Sequence, residues 1–289
     1  MSSPLIHIAN PRKKLVKISS HALSDYQKCA RRFYYSIVRK ISPKKYHRAF
    51  NRGTVMTKML EEYYTYKATG GQFDPFYVLG LSQKHVDPSE LSDDDKQLIS
   101  RVFFQYCGHY KNEEWEPVAS DLPFSIILYE DDDYLFIYEG TMDLVIKHML
   151  DSDKHIVVDH KTYSKFDSIY PINNQAIGYC HAMKTDTFIY NYVGLTQAKK
   201  PSDNFVREIK KYKKQDISSW RETTIKWFKR IADDSDYDKS YNCQGKYGVC
   251  GMAPLCECPF DSAREELIRT KYEKNEHASW GKEVPDESE

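Results

Sequence analysis

The sequence predicts an α/β domain in which a mixed central sheet is flanked by helices. Residues 20–110 carry apolar side chains at helical spacing, residues 117–163 alternate like strands between acidic turns, and a helix-like run then leads into two more strands. With 289 residues, 40% hydrophobic, 29% charged and 14% aromatic, the chain can bury a sizeable core, which excludes a disordered tail, a collagen-like fibre and a disulfide miniprotein. No apolar run approaches the ~20 residues of a membrane span. The N-terminus has neither a long apolar stretch nor a cleavage site of the secretory kind. A soluble, cytoplasmic protein is expected (a host's cytoplasm, for a viral one).

The elements follow in order. A turn-rich lead ends at Ser20, and HALSDYQKCARRFYYSIVRK then reads as a capped helix with a basic, aromatic face, stopped by Pro43. A second helix starts near Arg48 and ends at Gly70-Gly71. Residues 72–90, with Pro75 and Pro88, read as a loop, and a third helix runs from Asp93 to Tyr110 on Leu98, Val102, Phe103 and Tyr106. After Pro117 come FSIILYED, DYLFIYEGTMDLVIKHM and KHIVVDHKTY, parted by DDD and DSDK turns, which read as an antiparallel meander. A helix from Ile172 to Met183, the strands TFIYNYVGLT and NFVREIKKYK, and an amphipathic basic helix from Ile217 to Ile231 complete the order. One domain over 1–289 is expected, with a core over about 20–260, a helical insertion at about 72–115, and an acidic tail at about 262–289.

The net charge of zero conceals two basic segments. Arg12–Arg48 holds twelve Lys/Arg against one acid (Asp25), and residues 199–230 hold eleven against four, so +11 and +7 are balanced by −18 elsewhere. Such segregation suits either a local field for a polyanion or solvated helix faces. Of seven cysteines, Cys29, Cys107 and Cys180 stand alone, while Cys243, Cys250, Cys256 and Cys258 fall within sixteen residues. Without an export signal, such clustering points to a metal rather than a disulfide framework. Cys107 and Cys180 sit in apolar helical patterns and read as core thiols.

Asp143 lies inside a strand, and Asp159 and Lys161 lie two apart near the end of the next, on one face. If the strands pair across DSDK, two carboxylates and an ammonium converge. Hard oxygen ligands of this kind suit Mg²⁺ or Mn²⁺, and the lysine can steady developing negative charge, which equips the site for phosphodiester hydrolysis. The plainer alternative is two strand-end aspartates in turns with a surface lysine. Gln175 and Tyr179, four apart, share one face of the following helix.

The ordered set Asp143, Asp159-His160-Lys161 and Gln175-x-x-x-Tyr179 resembles the RecB-type branch of the PD-(D/E)XK nucleases, whose core is restriction-endonuclease-like. Upstream, Cys29-x-x-x-Phe33 resembles the family's opening helix. RGTVMTKMLEEY resembles its metal-binding helix, with Thr57 where the family has histidine and Glu61 matching one turn on. The resemblance implies that Asp143, Asp159, His160 (through its main-chain carbonyl) and Glu61 hold the metal, that Lys161 assists the attacking water, and that Gln175 and Tyr179 place the strand. It also implies that Cys29, Cys243, Cys250 and Cys256 hold a 4Fe–4S cluster, a staple joining the N- and C-terminal parts as in AddB-like and CRISPR-associated exonucleases. Zn²⁺, free thiols and Cys258 as fourth ligand stay open.

The implied activity is Mg²⁺/Mn²⁺-dependent exonucleolytic hydrolysis of single-stranded DNA or DNA ends, in recombination, repair or nucleic-acid processing. Arg31, Arg32, Lys210, Lys211, Lys213 and Lys214 are candidates for phosphate contacts. Phosphate-loop glycine patterns are absent, so a helicase or recombination partner would supply any motor, and a homo-oligomer is compatible with the sequence. The alternative is a catalytically weak or inactive nuclease fold that binds DNA or a partner, which Thr57 keeps open. Ser164, Lys165, His181 and His85 read as incidental, and Tyr34-Tyr35 and Tyr63-Tyr64 read as core or base-stacking pairs.

Overall fold

The computed structural model describes residues 13–44, 48–70, 74–82, 91–148, 151–164, 173–198, 200–241, 243–245, 248–275 and 280–283. His85, Lys165 and the expected helix start at Ile172 lie outside them. No described helix is long and apolar enough to cross a membrane.

The described residues open on a strand, within what was expected to be a turn-rich lead up to Ser20. β1 (Lys14–Ser19) alternates Val16 and Ile18 inward, a pattern too short and too lysine-rich to stand out. α1 (Ser20–Lys28) starts on the Ser19 hydroxyl, which accepts the Ala22 N–H at 3.3 Å. The single helix expected here breaks at Cys29, whose backbone is extended. A short turn, α2 (Ala30–Phe33), then continues into a wider π turn over Tyr34–Val38. β2 (Ile41–Pro43) precedes α3 (Arg48–Thr69). The expected 72–90 loop holds a helix, α4 (Pro75–Ser82), entered through Asp74, whose Oδ1 accepts the Phe76 N–H at 2.9 Å. α5 (Asp93–His109) carries a reciprocal cap between Ser92 and Asp95.

β3 (Pro117–Glu130), β4 (Tyr134–His148) and β5 (Asp151–Tyr163) are the three expected runs, but the DSDK stretch expected as a turn is the start of β5, where Asp151 already pairs with His148. α6 (Asn174–Met183), β6 (Thr187–Gly194), β7 (Phe205–Lys211) and α7 (Lys214–Asp233) follow as read. The cysteine-rich stretch forms β8 (Gln244–Gly245), β9 (Gly248–Val249) and α8 (Ala253–Glu257). Where an acidic tail was expected, α9 (Asp261–Lys271), β10 (Tyr272–Lys274) and β11 (Trp280–Glu283) follow.

The described residues group into two compact units. One gathers the described residues of Met1–Lys44, Ser125–Gly140 and Ser219–Glu289; the other gathers those of Lys45–Phe124 and Thr141–Ser218. In the first unit β1 pairs in parallel with Tyr134–Glu139 of β4 and antiparallel with β11, and β10 pairs antiparallel with β2. A small core of Tyr35, Ile41, Met252, Leu255 and Tyr272 lies beside the cysteines. In the second unit Leu144–His148 of β4 pairs antiparallel with β5, β5 pairs in parallel with β6, and β6 pairs antiparallel with β7. The sheet is therefore mixed. β6, bounded by strands on both sides, is buried at every position, which explains its unbroken apolar run. α3 and α5 pack Val55, Met56, Leu60, Phe103 and Tyr106 against Val158 and Ile189 of the sheet. A Cβ on Gly53 would stand 2.8 Å from Thr162 Oγ1, so this glycine lets α3 lie close against β5.

Candidate active site

The second unit assembles its charged cluster on the faces of β4 and β5. Because side chains alternate along a strand, Asp159 and Lys161 share one face and His160 takes the other. Antiparallel pairing of β4 with β5 brings Asp143 alongside: its Oδ2 accepts the His160 main-chain N–H at 2.8 Å. Asp159 is 1% exposed. Lys161 Nζ donates to Asp159 Oδ1 at 3.0 Å and to Gln175 Oε1 at 3.1 Å. Gln175 Nε2 in turn reaches the Tyr179 hydroxyl at 3.4 Å, which donates to the Thr141 carbonyl at 2.9 Å. α6 can present this pair because Asn173 caps it, accepting the Ala176 N–H at 2.8 Å. Asp143, Asp159, Lys161, Gln175 and Tyr179, singled out by spacing and by the family resemblance, thus form one connected group.

Electrostatics follow from this crowding. Burial, and then the neighbouring Asp159, push the Asp143 carboxyl up to about 7, against the pull of Lys161. Burial likewise raises Asp159. Burial alone would lower Lys161, but Asp159 and Asp143 outweigh it and hold its proton firmly. Asp159 Oδ2 lies 2.8 Å from Lys161 Nζ, yet it is buried and lacks an aligned hydrogen-bond donor. Two buried carboxylates that resist ionising together fit a divalent cation, whose charge would offset both.

The His160 imidazole is not part of this face. It is 4% exposed, lies 2.8 Å from Asn191 Nδ2 through its Nδ1, and stacks on Tyr64 with centroids 5.5 Å apart. Burial, then Arg207 and Lys161, push it down to about 3, so the ring is neutral. Behind it Arg207 lies between the rings of Tyr110 and Trp115, 3.5 and 3.4 Å from their centroids, and pairs with Glu113 at 2.6 Å. Asn191 and the hydroxyls of Tyr64 and Tyr106 complete that network. Tyr63 and Tyr64 are core.

Glu61 on α3 reaches the neighbourhood but pairs with Lys58 at 2.5 Å. Among the described residues no group of three or more His, Cys, Asp or Glu side chains stands close enough to hold a metal ion. Sequence reasoning missed three groups here. Lys58 is one. Ser120 is another: its Oγ lies 3.0 Å from the Glu61 carbonyl and 3.1 Å from the Asp143 carbonyl, tying β3 to both. The third is Asp121, which holds a left-handed backbone (φ 52°) and brings its Oδ2 to 4.0 Å from Lys58 Nζ. The i, i+3 spacing of Lys58 and Glu61 was a readable signal; nothing local marked Ser120 or Asp121.

The remaining candidates are placed elsewhere. In the first unit Arg32 pairs with buried Asp25 at 3.1 Å, and Arg31 Nη2 donates to the Asp236 carbonyl at 3.1 Å, so both guanidiniums have structural partners. In the second unit Lys210 pairs with Glu208 at 2.5 Å, while Lys211, Lys213 and Lys214 are exposed. None of the seven cysteines forms a disulfide. Cys29 sits at the helix break, where burial opposes ionisation but hydrogen bonds from the backbones of Ser240, Arg32 and Arg31 and from the Ser240 side chain lower its pKa overall. Cys256 is raised by burial and, beyond the opposing pull of Lys239, by Cys29, Cys250 and Cys243, so the four lie within electrostatic reach of one another. Cys258 Sγ donates to the Phe260 carbonyl at 3.5 Å. Burial pushes Cys107 and Cys180 up to about 12, as core thiols.

Comparison with known proteins bears on this geometry. No curated protein matches the chain. Among solved structures, the chain is similar to a candidate exonuclease from Eubacterium rectale, at 12% identity and a TM-score of 0.47, covering 84% of this chain and 91% of that one. It is also similar to the protein SSO0001, at 16% identity and a TM-score of 0.38, covering 84% and 85%. The model of the PD-(D/E)XK nuclease superfamily matches residues 17–257, a span that takes in the Asp143, Asp159 and Lys161 cluster as well as Cys29 and Cys256. The chain therefore belongs to the PD-(D/E)XK nuclease superfamily.

Proposed function

We propose that this nuclease is a divalent-metal-dependent DNA exonuclease acting on single strands or strand ends. The observation that carries the reading is the buried pair Asp143 and Asp159, joined to Lys161 and through it to Gln175 and Tyr179. Asp143 and Asp159 would hold one Mg²⁺ or Mn²⁺, with the His160 carbonyl as the family resemblance implies. Bound there, the ion supplies an acidified water and polarises a phosphate oxygen.

The chain's own residues supply the rest. Lys161 keeps its proton at neutral pH, so it acts as a fixed positive charge that orients a water and steadies charge developing on the phosphate, not as a base. Gln175 accepts from that ammonium through Oε1, and the second N–H of its amide, beyond the one directed at Tyr179, would meet a strand. Tyr179, anchored on the Thr141 carbonyl, fixes Gln175 in turn. The exposed Lys211, Lys213 and Lys214 suit phosphates further along the strand. A separate helicase or recombination partner would supply unwinding, and self-assembly is compatible with the role.

Cys29, Cys243, Cys250 and Cys256 are the set that would hold a 4Fe–4S cluster, with Zn²⁺ as the alternative. Their mutual repulsion, felt at Cys256, is what a bound cation relieves. A second reading, a nuclease fold that grips DNA without cutting, is favoured by Thr57 and by the engagement of Glu61 with Lys58. End-labelled single- and double-stranded DNA incubated with the protein and Mn²⁺, with EDTA as control, separates the two. Stepwise shortening that EDTA stops supports the exonuclease; retention of DNA without cleavage under every metal supports the binder.

A further inference from the structure

The charged groups around Asp143 and Asp159 include two lysines, and only one has a place in the reading above. Lys58 projects from α3 toward the same cluster: it pairs with Glu61 at 2.5 Å and stands 4.0 Å from Asp121 Oδ2. Asp121 and Asp143 both add to the hold on its proton. The elements that bring these groups together are fixed. Gly53 sets α3 against β5, and Ser120 bridges the Glu61 and Asp143 carbonyls. Asp121 is held in a left-handed conformation that a side-chain-bearing residue adopts at a cost.

Counting charge across this cluster is instructive. Four carboxylates, Glu61, Asp121, Asp143 and Asp159, face two ammonium groups, Lys58 and Lys161. Two negative charges are left over, the charge of one divalent cation. That cation fits beside Asp143 and Asp159, the two most deeply buried of the four. On the other side, Glu61 and Asp121 already face a cation, and it is part of the polypeptide.

We propose that Lys58 is a built-in cation that takes the place of a second divalent ion between Glu61 and Asp121, restricting this site to a single metal. The proposal rests on the nuclease reading of Asp143 and Asp159. Glu61 is then the partner of Lys58 rather than a metal ligand. An ammonium at this position carries one charge and no exchangeable coordination sites, so it neutralises the carboxylates without binding a water or a phosphate as a metal does.

The test counts metal rather than activity. Mn²⁺, which prefers oxygen donors to thiolates, is titrated into the full chain, and bound ion is read from the loss of the free-Mn²⁺ electron paramagnetic resonance signal. Wild type is expected to bind one Mn²⁺, and Asp159→Asn to lose it. Lys58→Met is expected to bind two, and the double variant Lys58→Met, Glu61→Gln to return to one. Two ions on wild type, or one ion on a folded Lys58→Met, overturn the proposal while leaving the nuclease reading intact. Failure of wild type to bind Mn²⁺, or its binding unaffected by Asp159→Asn, overturns both. The wild-type count needs no variant, so the proposal stays open to refutation even if Lys58→Met does not fold.

Discussion

The acidic cluster of one unit and the cysteine cluster of the other both gather titratable side chains, and they do so by opposite means. Asp143, Asp159 and Lys161 stand on paired strands and are linked by hydrogen bonds to each other and to α6. The rear of β5 is locked as well, by the His160 stack on Tyr64 and by Arg207 with Glu113. The cysteines stand at a helix break (Cys29), on an exposed loop (Cys243), beside a two-residue strand (Cys250) and on a five-residue helix (Cys256), around a core of five buried side chains. The polypeptide sets the geometry of the first cluster before any ligand arrives. In the second, the proposed cluster would set much of the geometry itself.

The sharpest break between the two comes from Asp159→Asn. Cleavage of end-labelled DNA should fall by about 10²- to 10³-fold or more, while the cysteine region keeps whatever colour or metal it holds. Undiminished cutting would place the active site elsewhere. Next, Arg207→Ala strands Glu113, whose side chain is 4% exposed, with Lys67 as its remaining ionic partner. Denaturant unfolding should show a loss of about 3 kcal/mol, the low end for breaking a buried pair. A loss below about 1 kcal/mol, the worth of a surface pair, would mean that the rear network does not brace β5.

Cys29→Ser sharpens the comparison from the other side. In anaerobically purified protein it should remove visible charge-transfer absorbance and lower the melting temperature, whereas brief EDTA treatment should stop cleavage and leave the colour. A colourless wild type carrying one zinc would replace iron with zinc and keep the four ligands. The smallest effect is a pH slope. Asp143 rises from an ordinary 3.8 to about 7 in the folded, metal-free protein, so between those values the native state binds more protons than the unfolded one. Stability in EDTA should therefore fall as pH rises from about 4 to about 7. Asp143→Asn should flatten that slope, as should saturating Mn²⁺, which competes with the proton. A slope unchanged in Asp143→Asn would assign it to another group.

Much of the acidic site was legible because its signals are local. Alternation put Asp159 and Lys161 on one face, the succession of two strand-like runs announced the antiparallel pairing that delivers Asp143, and four-residue spacing joined Gln175 to Tyr179. The misses share one cause. β1 was hidden because KLVKIS is brief and lysine-rich, and β11 because its partner lies at the far end of the chain. The extended backbone of Cys29 interrupts a stretch whose composition is helical throughout. Arg207 sat in a basic segment that read as either a field for a polyanion or a solvated face, yet it is wedged between two aromatic rings.

By itself the sequence determined the central run of elements from β3 to α7, the neighbouring strands that carry Asp143 and Asp159, and the family to which the chain belongs. Periods of 2 and 3.6 residues are written into neighbouring side chains, and no distant contact is needed to read them. Only the tertiary structure decided that Lys58, Ser120 and Asp121 join the aspartates, that the His160 ring faces away, and that four cysteines from opposite ends of the chain come within reach of one another. Those outcomes depend on which helix packs on which strand, and so on the summed burial of side chains far apart in sequence; an isolated charge carries no mark of the partner that burial will give it.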